Sequence, residues 1–124
     1  MPLVTVLIED SSTIRESLIP ALAEVADAEV VAEAETAADG IAALQAHADS
    51  WRLAVVDMFL RNGNGLEIVR AFRIRRADQH MLVLTNYATP EIRRKAIDAG
   101  ADAVFDKSTE IDVFFDLCRS YSRG

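Results

Sequence analysis

Apolar residues in this chain gather in short unbroken runs, separated by stretches in which they recur every three or four positions. Leu3 to Ile8 is such a run, rich in β-branched residues, and Ile14, Leu18, Leu22 and Val25 follow at helical spacing. The two periods predict a strand and then a helix. The alternation recurs four times. Ala28 to Ala32 leads to a helix with Ala37, Ile41, Leu44 and Ala48 on one face, and Leu53 to Val56 leads to one carrying Leu66, Val69 and Phe72. Met81 to Leu84 precedes a helix near Pro90 to Ala99, and Ala103 to Phe105 precedes one with Ile111, Phe114, Phe115, Cys118 and Tyr121. The punctuation agrees: Thr89, Pro90 and Glu91 read as an N-cap, an N1 proline and an acidic first turn, while Gly100 stands where a glycine ends a helix. Gly63 and Gly65 mark the turn into the third helix. Pro20 falls inside the first helix, opposite its apolar stripe, and predicts a kink there.

Five largely apolar strands, interrupted only by Thr5 and Glu29 and each followed by a helix, predict an α/β domain with a parallel sheet covered on both faces. Right-handed crossovers then line the strand C-termini along one edge, where ligands bind in open α/β folds. At 124 residues, 51% of them apolar, the chain suits one domain over 1–124, without linker or repeat. A net charge of −7 argues against general affinity for nucleic acid or an anionic membrane. The first apolar run stops at Glu9, too short for a signal peptide or a spanning helix, so a cytoplasmic location is expected. Cys118, the only cysteine, sits on a core stripe and reads as a small buried hydrophobe.

The strand ends bring the chemistry. Glu9 and Asp10 follow the first strand, Asp57 the third, Thr85 the fourth and Lys107 the fifth. Three carboxylates gathered on one edge call for a divalent cation, and Mg²⁺, which takes one or two protein carboxylates and bridges to phosphate, suits the set. Asp57 ends an apolar strand, where a carboxylate is costly unless it is paired or works. As a nucleophile it would accept a phosphoryl group, with Lys107 holding one oxygen as a point charge and Thr85 placed to hydrogen-bond the product. A plain alternative exists for each part: acidic residues that merely begin a helix, and an Asp57–Lys107 salt bridge with no chemistry.

In this constellation the sequence resembles the receiver domain of two-component response regulators. The matching stretches are VLIED ending at Asp10, VVDMFLRNGNG over 55–65, LTNYA over 84–88 and GADAVFDKS over 100–108, so the resemblance covers essentially the whole chain. It implies a flavodoxin-like (βα)5 three-layer sandwich with strand order 2-1-3-4-5. It also implies Mg²⁺ held by Asp10, Asp57 and Glu9 with the backbone carbonyl of Phe59, phosphorylation of Asp57 by a histidine kinase or phosphotransfer protein, and Thr85 and Lys107 reading the phosphate. Its own catalysis would be limited to Mg²⁺-dependent self-phosphorylation and autodephosphorylation, and its output would be altered binding to a downstream protein, with no direct contact to nucleic acid or membrane.

The chain also departs from the family pattern. Arg61 and Ser108 stand where receivers usually have proline, which makes the loop after Asp57 less rigid and adds a cation near the site. Ser108 also implies an ordinary trans peptide after Lys107. Asn86 replaces the small residue after the switch threonine. Phe59 and Tyr87 occupy positions that flank the path of the hydrolytic water, which implies a long-lived phosphorylated form. Val104 stands where an aromatic usually signals, and a stiff valine has no ring to swing; Phe105 would take that part only if the strand register shifted.

On the last helix Val113 and Leu117 flank the core stripe. With Arg93, Arg94 and Lys95 they form the candidate partner surface, and a homodimer through the fourth and fifth helices is one expected form. Arg70, Arg73 and Arg76 read as a solvated face, Trp51 as a core lid, His47 as a helix flank and His80 as a loop residue without a second metal ligand. Two rivals to a single-domain switch remain: the receiver of a longer regulator with a DNA-binding or enzymatic output, and a binding module indifferent to phosphorylation. An aspartyl-phosphate phosphohydrolase would need an Asp where Phe59 stands, and Glu9 and Asp10 would repel the phosphate of a flavodoxin's flavin.

Overall fold

Strands buried on both faces send successive side chains to opposite sides of one sheet, and the buried stripe of each helix covers one of the two cores so formed. The computed structural model describes residues 2–123. In chain order the elements are β1 (Leu3–Ile8), α1 (Ser12–Ala26), β2 (Ala28–Ala34), α2 (Ala37–Ala46), β3 (Leu53–Val56), α3 (Gly65–Ala71), β4 (His80–Thr85), α4 (Pro90–Ala99), β5 (Ala103–Asp106) and α5 (Ile111–Arg123). The strands pair in parallel in the order β2-β1-β3-β4-β5, the sheet that the alternating pattern and the resemblance predict.

Val6, Ile8, Val56, Val83 and Val104 face one side and pack with Leu44 of α2, Ile68 and Val69 of α3, and Ala96 and Ala99 of α4. Leu7, Val55, Leu84 and Phe105 face the other and pack with Leu22 of α1 and with Phe114 and Cys118 of α5. Ile8 pairs with Val56 and Val56 with Val83, so Glu9 and Asp57 emerge at the same level of the sheet and β4 carries Thr85 one residue further.

Local rules explain the element ends. Asn64 and Glu67 form a reciprocal capping box at the start of α3, satisfying two backbone donors that a helix start leaves free. Gly65 is required there: a Cβ on it would lie 2.4 Å from the carbonyl oxygen of Asp57. Its absence lets α3 start directly against the strand end that carries the central carboxylate. Gly63 takes a left-handed φ of 77° in the same turn. Thr89 caps α4 with Pro90 in its first turn, and Gly100 ends it at φ 123°.

Several expectations shift. β2 runs on to Ala34, and α2 stops at Ala46, leaving Ala48 exposed outside it. Helix α1 continues through Pro20. Pro20 is exposed, so the carbonyl of Glu16 that its missing N–H cannot serve lies on the solvent side of the helix. His80 belongs to β4 rather than a loop, stacked flat on Tyr121 with ring centroids 3.8 Å apart. Trp51 is 1% exposed and meets Phe72 edge-on, a core residue rather than a cover.

Candidate functional site: an acidic cleft at the carboxyl edge of the sheet

Glu9 is 2% exposed and fixed at every polar group. Its N–H donates to the Ala34 carbonyl at 2.9 Å, and its own carbonyl accepts from Arg15 Nη1 at 2.6 Å. Its Oε1 accepts from Lys107 Nζ at 2.5 Å and its Oε2 from the Ser11 N–H at 3.1 Å. Asp57, also buried, accepts from Lys107 Nζ through Oδ2 at 3.1 Å. Carboxylate oxygens of Glu9, Asp10 and Asp57 lie within 4.8 Å of one another. Lys107 is placed by its backbone, whose N–H donates to the Thr85 carbonyl at 2.9 Å and extends the β4–β5 ladder by one step.

The electrostatics follow from this crowding. Burial, then the hydrogen bond and charge of Glu9, hold the Asp10 carboxyl above its ordinary range. Burial alone would lower the Lys107 pKa, but its contacts to Glu9 and Asp57 outweigh that and raise it, so the ammonium stays charged.

The fully buried Thr85 accepts the Tyr87 N–H on its hydroxyl oxygen at 3.2 Å, leaving its own proton to donate elsewhere. These groups line a cleft of about 190 Å³ with Ser11, Ile14, Phe59, Asn86 and Tyr87. Phe59 and Tyr87 meet edge to face, centroids 5.3 Å apart, and are 48% and 64% exposed. They join the β3–α3 and β4–α4 loops across the rim of the cleft. Arg61 does not line it; its guanidinium is 3.9 Å from Glu35. The Lys107–Ser108 peptide is trans, and Asp106 Oδ1 accepts from the Ser108 N–H and hydroxyl, capping the turn a proline would otherwise stiffen.

Of the candidate partner residues, Arg93 is engaged within the fold. It donates to the carbonyls of Ala88 and Val104 and pairs with Glu110 at 2.5 Å, tying the β4–α4 loop to β5 and the start of α5. Lys95 pairs with Glu91, Arg94 is exposed, Val113 is 56% exposed, and Leu117 is half-buried against the α1–α5 core. Val104 pairs in register with Val83 and faces the α4 side, while Phe105 faces α5 and meets Phe114. With no register shift, Phe105 cannot stand in for the missing aromatic.

Sequence reasoning missed Arg15. Its signal was its isolation, since it is the only Lys or Arg among residues 1–50.

Compared with known families, residues 5–119 match the response regulator receiver domain. The chain belongs to that family. It is 35% identical over 95 residues to the DNA-binding transcriptional activator DevR/DosR of Mycobacterium tuberculosis, covering 77% of this chain and 43% of that protein. It is 31% identical over 120 residues to a nitrate/nitrite response regulator homolog of Haemophilus influenzae, covering 95% and 56%. The chain thus spans about half the length of the relatives it matches. A LuxR-family two-component response regulator from Aurantimonas sp. SI85-9A1 superposes with a TM-score of 0.85 at 22% identity, covering 100% of this chain and 87% of that one. A CheY-like receiver domain protein from Methanospirillum hungatei JF-1 gives 0.79 at 23%, covering 99% and 96%. In this receiver, Glu9, Asp10 and Asp57 form an acidic site typical of phosphoacceptance and of receiver Mg²⁺ binding. Receivers interact with histidine kinases and are generally non-catalytic apart from self-phosphorylation chemistry. Among the described residues no helix is long and apolar enough to cross a membrane.

Proposed function

We propose that this chain is a phosphorylation-controlled signalling switch that accepts a phosphoryl group on Asp57 from a histidine kinase or phosphotransfer protein and signals through altered protein binding. The observation that carries the reading is the single ammonium of Lys107 shared by Glu9 and Asp57 where a third carboxylate, Asp10, converges. A structural ion pair needs one carboxylate; three around one cation leave an excess of negative charge suited to a metal.

The donor set is all oxygen and fits Mg²⁺, which supplies positive charge against the phosphoryl oxygens when bound. Asp10, Asp57 and the Phe59 carbonyl would hold it directly. Glu9, whose oxygens already accept from Lys107 and Ser11, would add negative charge beside it. One Asp57 oxygen attacks the phosphorus of a phosphohistidine. The P–N bond breaks, its electron pair stays with the imidazole nitrogen, and an acyl phosphate forms. Lys107 then turns from the carboxylate to a phosphoryl oxygen, and the Thr85 hydroxyl donates to another. Because the same hydroxyl oxygen accepts the Tyr87 N–H, movement of Thr85 displaces the β4–α4 loop. Phe59 and Tyr87 shield the acyl phosphate from water, the Asn86 amide donates a hydrogen bond to the phosphoryl group, and Arg61 leaves its loop tethered by charge instead of by a proline ring. The readout lies on α4, β5 and α5, with Arg94, Val113 and Leu117 presented to a partner or second copy, and Arg93 and Lys95 completing the charged side.

A second reading has its own support. The relatives are about twice as long, and one is named as a DNA-binding activator; there the receiver would govern an output domain, and the natural reading frame beyond codon 124 decides between the two. For the switch itself, amide NMR spectra with Mg²⁺ and beryllofluoride, a phosphoryl mimic, provide the test. Shifts at Asp57 to Asn64, at Thr85 to Ala88 and along α4 are expected. Shifts confined to residues 9, 10 and 57 would leave a metal site without a switch.

A further inference from the structure

Resting on the phosphoacceptor reading, we infer that Arg15 is the positioning residue of the cation site: it clamps the β1–α1 turn so that Glu9 and Asp10 face Asp57. From α1 its guanidinium crosses beneath the acidic turn. Nη1 donates to the Glu9 carbonyl at 2.6 Å and to Glu35 Oε1 at 3.4 Å, and Nε donates to Glu33 Oε1 at 3.1 Å. The side chain is 15% exposed, whereas its carboxylate partners are 49% and 42% exposed. The buried carbonyl contact therefore sets the geometry, and the two glutamates aim the fork and balance its charge.

Glu35 is the joint that extends the clamp. Its second oxygen lies 3.9 Å from Arg61 on the β3–α3 loop. A line of contacts thus runs from the Glu9 carbonyl through Arg15 and Glu35 to Arg61, linking the β1–α1, β2–α2 and β3–α3 loops. Arg61 occupies the place of the loop-stiffening proline, so this chain anchors the loop to the acidic turn by charge.

Simple electrostatics and the clamp predict opposite signs. A cation bonded to the backbone of Glu9 disfavours Mg²⁺ at the adjoining site by repulsion, so its deletion should tighten binding if charge were its only influence. If Arg15 holds the turn, its loss lets Glu9 and Asp10 drift from Asp57 and weakens binding, and groups that orient metal ligands are typically worth about 10- to 100-fold in affinity.

The experiment is calorimetric Mg²⁺ titration of the wild type, Arg15→Met and Arg15→Lys, with thermal melts and circular dichroism on each, and Asp10→Asn as the control for the site. The Mg²⁺ Kd should rise on the order of tenfold in Arg15→Met. It should rise in Arg15→Lys as well, since lysine keeps the charge but cannot span the carbonyl and both glutamates. Phosphoryl addition at saturating Mg²⁺ should recover in both. Unchanged or tighter Mg²⁺ binding in Arg15→Met overturns the inference. Should that variant not fold, wild-type affinity in Arg15→Lys overturns it instead. A wild type that binds no Mg²⁺ overturns the phosphoacceptor reading itself, an outcome distinct from either.

Discussion

At the ends of β1, β3 and β5 the charged groups are buried and shared, whereas along α4 and α5 all but Arg93 stand in solvent or close local pairs. Lys107 serves two carboxylates at once, and Glu9 has no polar group free. On the α4–α5 side, Lys95 meets Glu91 one turn away and Arg119 meets Asp116, both exposed pairs of the kind worth at most about 1 kcal/mol. The contrast teaches where function resides. A buried cluster with more acid than base is held at a cost to stability, and such a cost marks chemistry; an exposed pair costs little and marks a surface open to change. Arg93 joins the regions by tying the β4–α4 loop, which carries Tyr87, to β5 and α5.

The contrast breaks most severely at Lys107. Lys107→Ala leaves Glu9 and Asp57 buried without their counter-charge, and removal of one partner of a buried pair costs about 3–5 kcal/mol. Urea unfolding should show a loss of that order, partly restored by Mg²⁺, together with loss of phosphoryl addition. Next in size is the lifetime of the adduct. Phe59→Asn with Tyr87→Glu opens the rim and supplies groups that orient water, and dephosphorylation should quicken by about tenfold or more, toward the 10²-fold end of what positioned proton-transfer groups contribute; an unchanged decay would remove the aromatic pair from the account.

The remaining effects are smaller. Arg93→Met cuts a half-exposed tie and should cost about 1 kcal/mol by denaturant midpoint, while Val113→Asp, away from any buried contact, should stay within about 0.5 kcal/mol yet weaken partner binding or dimerisation. Asp10 gives the smallest effect and a signed one. Its folded pKa is raised, so at neutral pH its charge opposes folding. That opposition fades as pH falls through the raised value and the folded state takes up the proton first. Asp10→Asn should therefore be slightly more stable than the wild type at pH 7, with the difference closing on acidification; a difference that widens instead would contradict the crowding of Asp10 by Glu9.

The same contrast governs what the sequence discloses. Strand runs and helix caps are local, so all five strands, Thr89 with Pro90, and the gathering of Glu9, Asp10, Asp57, Thr85 and Lys107 on one edge could be read from order and spacing alone. Features set by tertiary contact were less legible. His80 joins β4 because its backbone pairs beside β3 and its ring stacks on Tyr121, and Ala48 falls outside α2 although the period includes it. Arg15 and Arg61 acquire meaning only where α1, β2 and the β3–α3 loop meet at Glu35. Arg93 reads as part of a solvated run, yet its side chain reaches three segments.

On the phosphoacceptor reading, the crowded carboxylates exist to accept a phosphoryl group at Asp57, and intact-mass measurement after incubation with acetyl phosphate and Mg²⁺ decides whether they do. A single phosphoryl addition is predicted, absent without Mg²⁺ and absent in Asp57→Asn. No addition under conditions that label another receiver, or an addition that persists in Asp57→Asn, would contradict it.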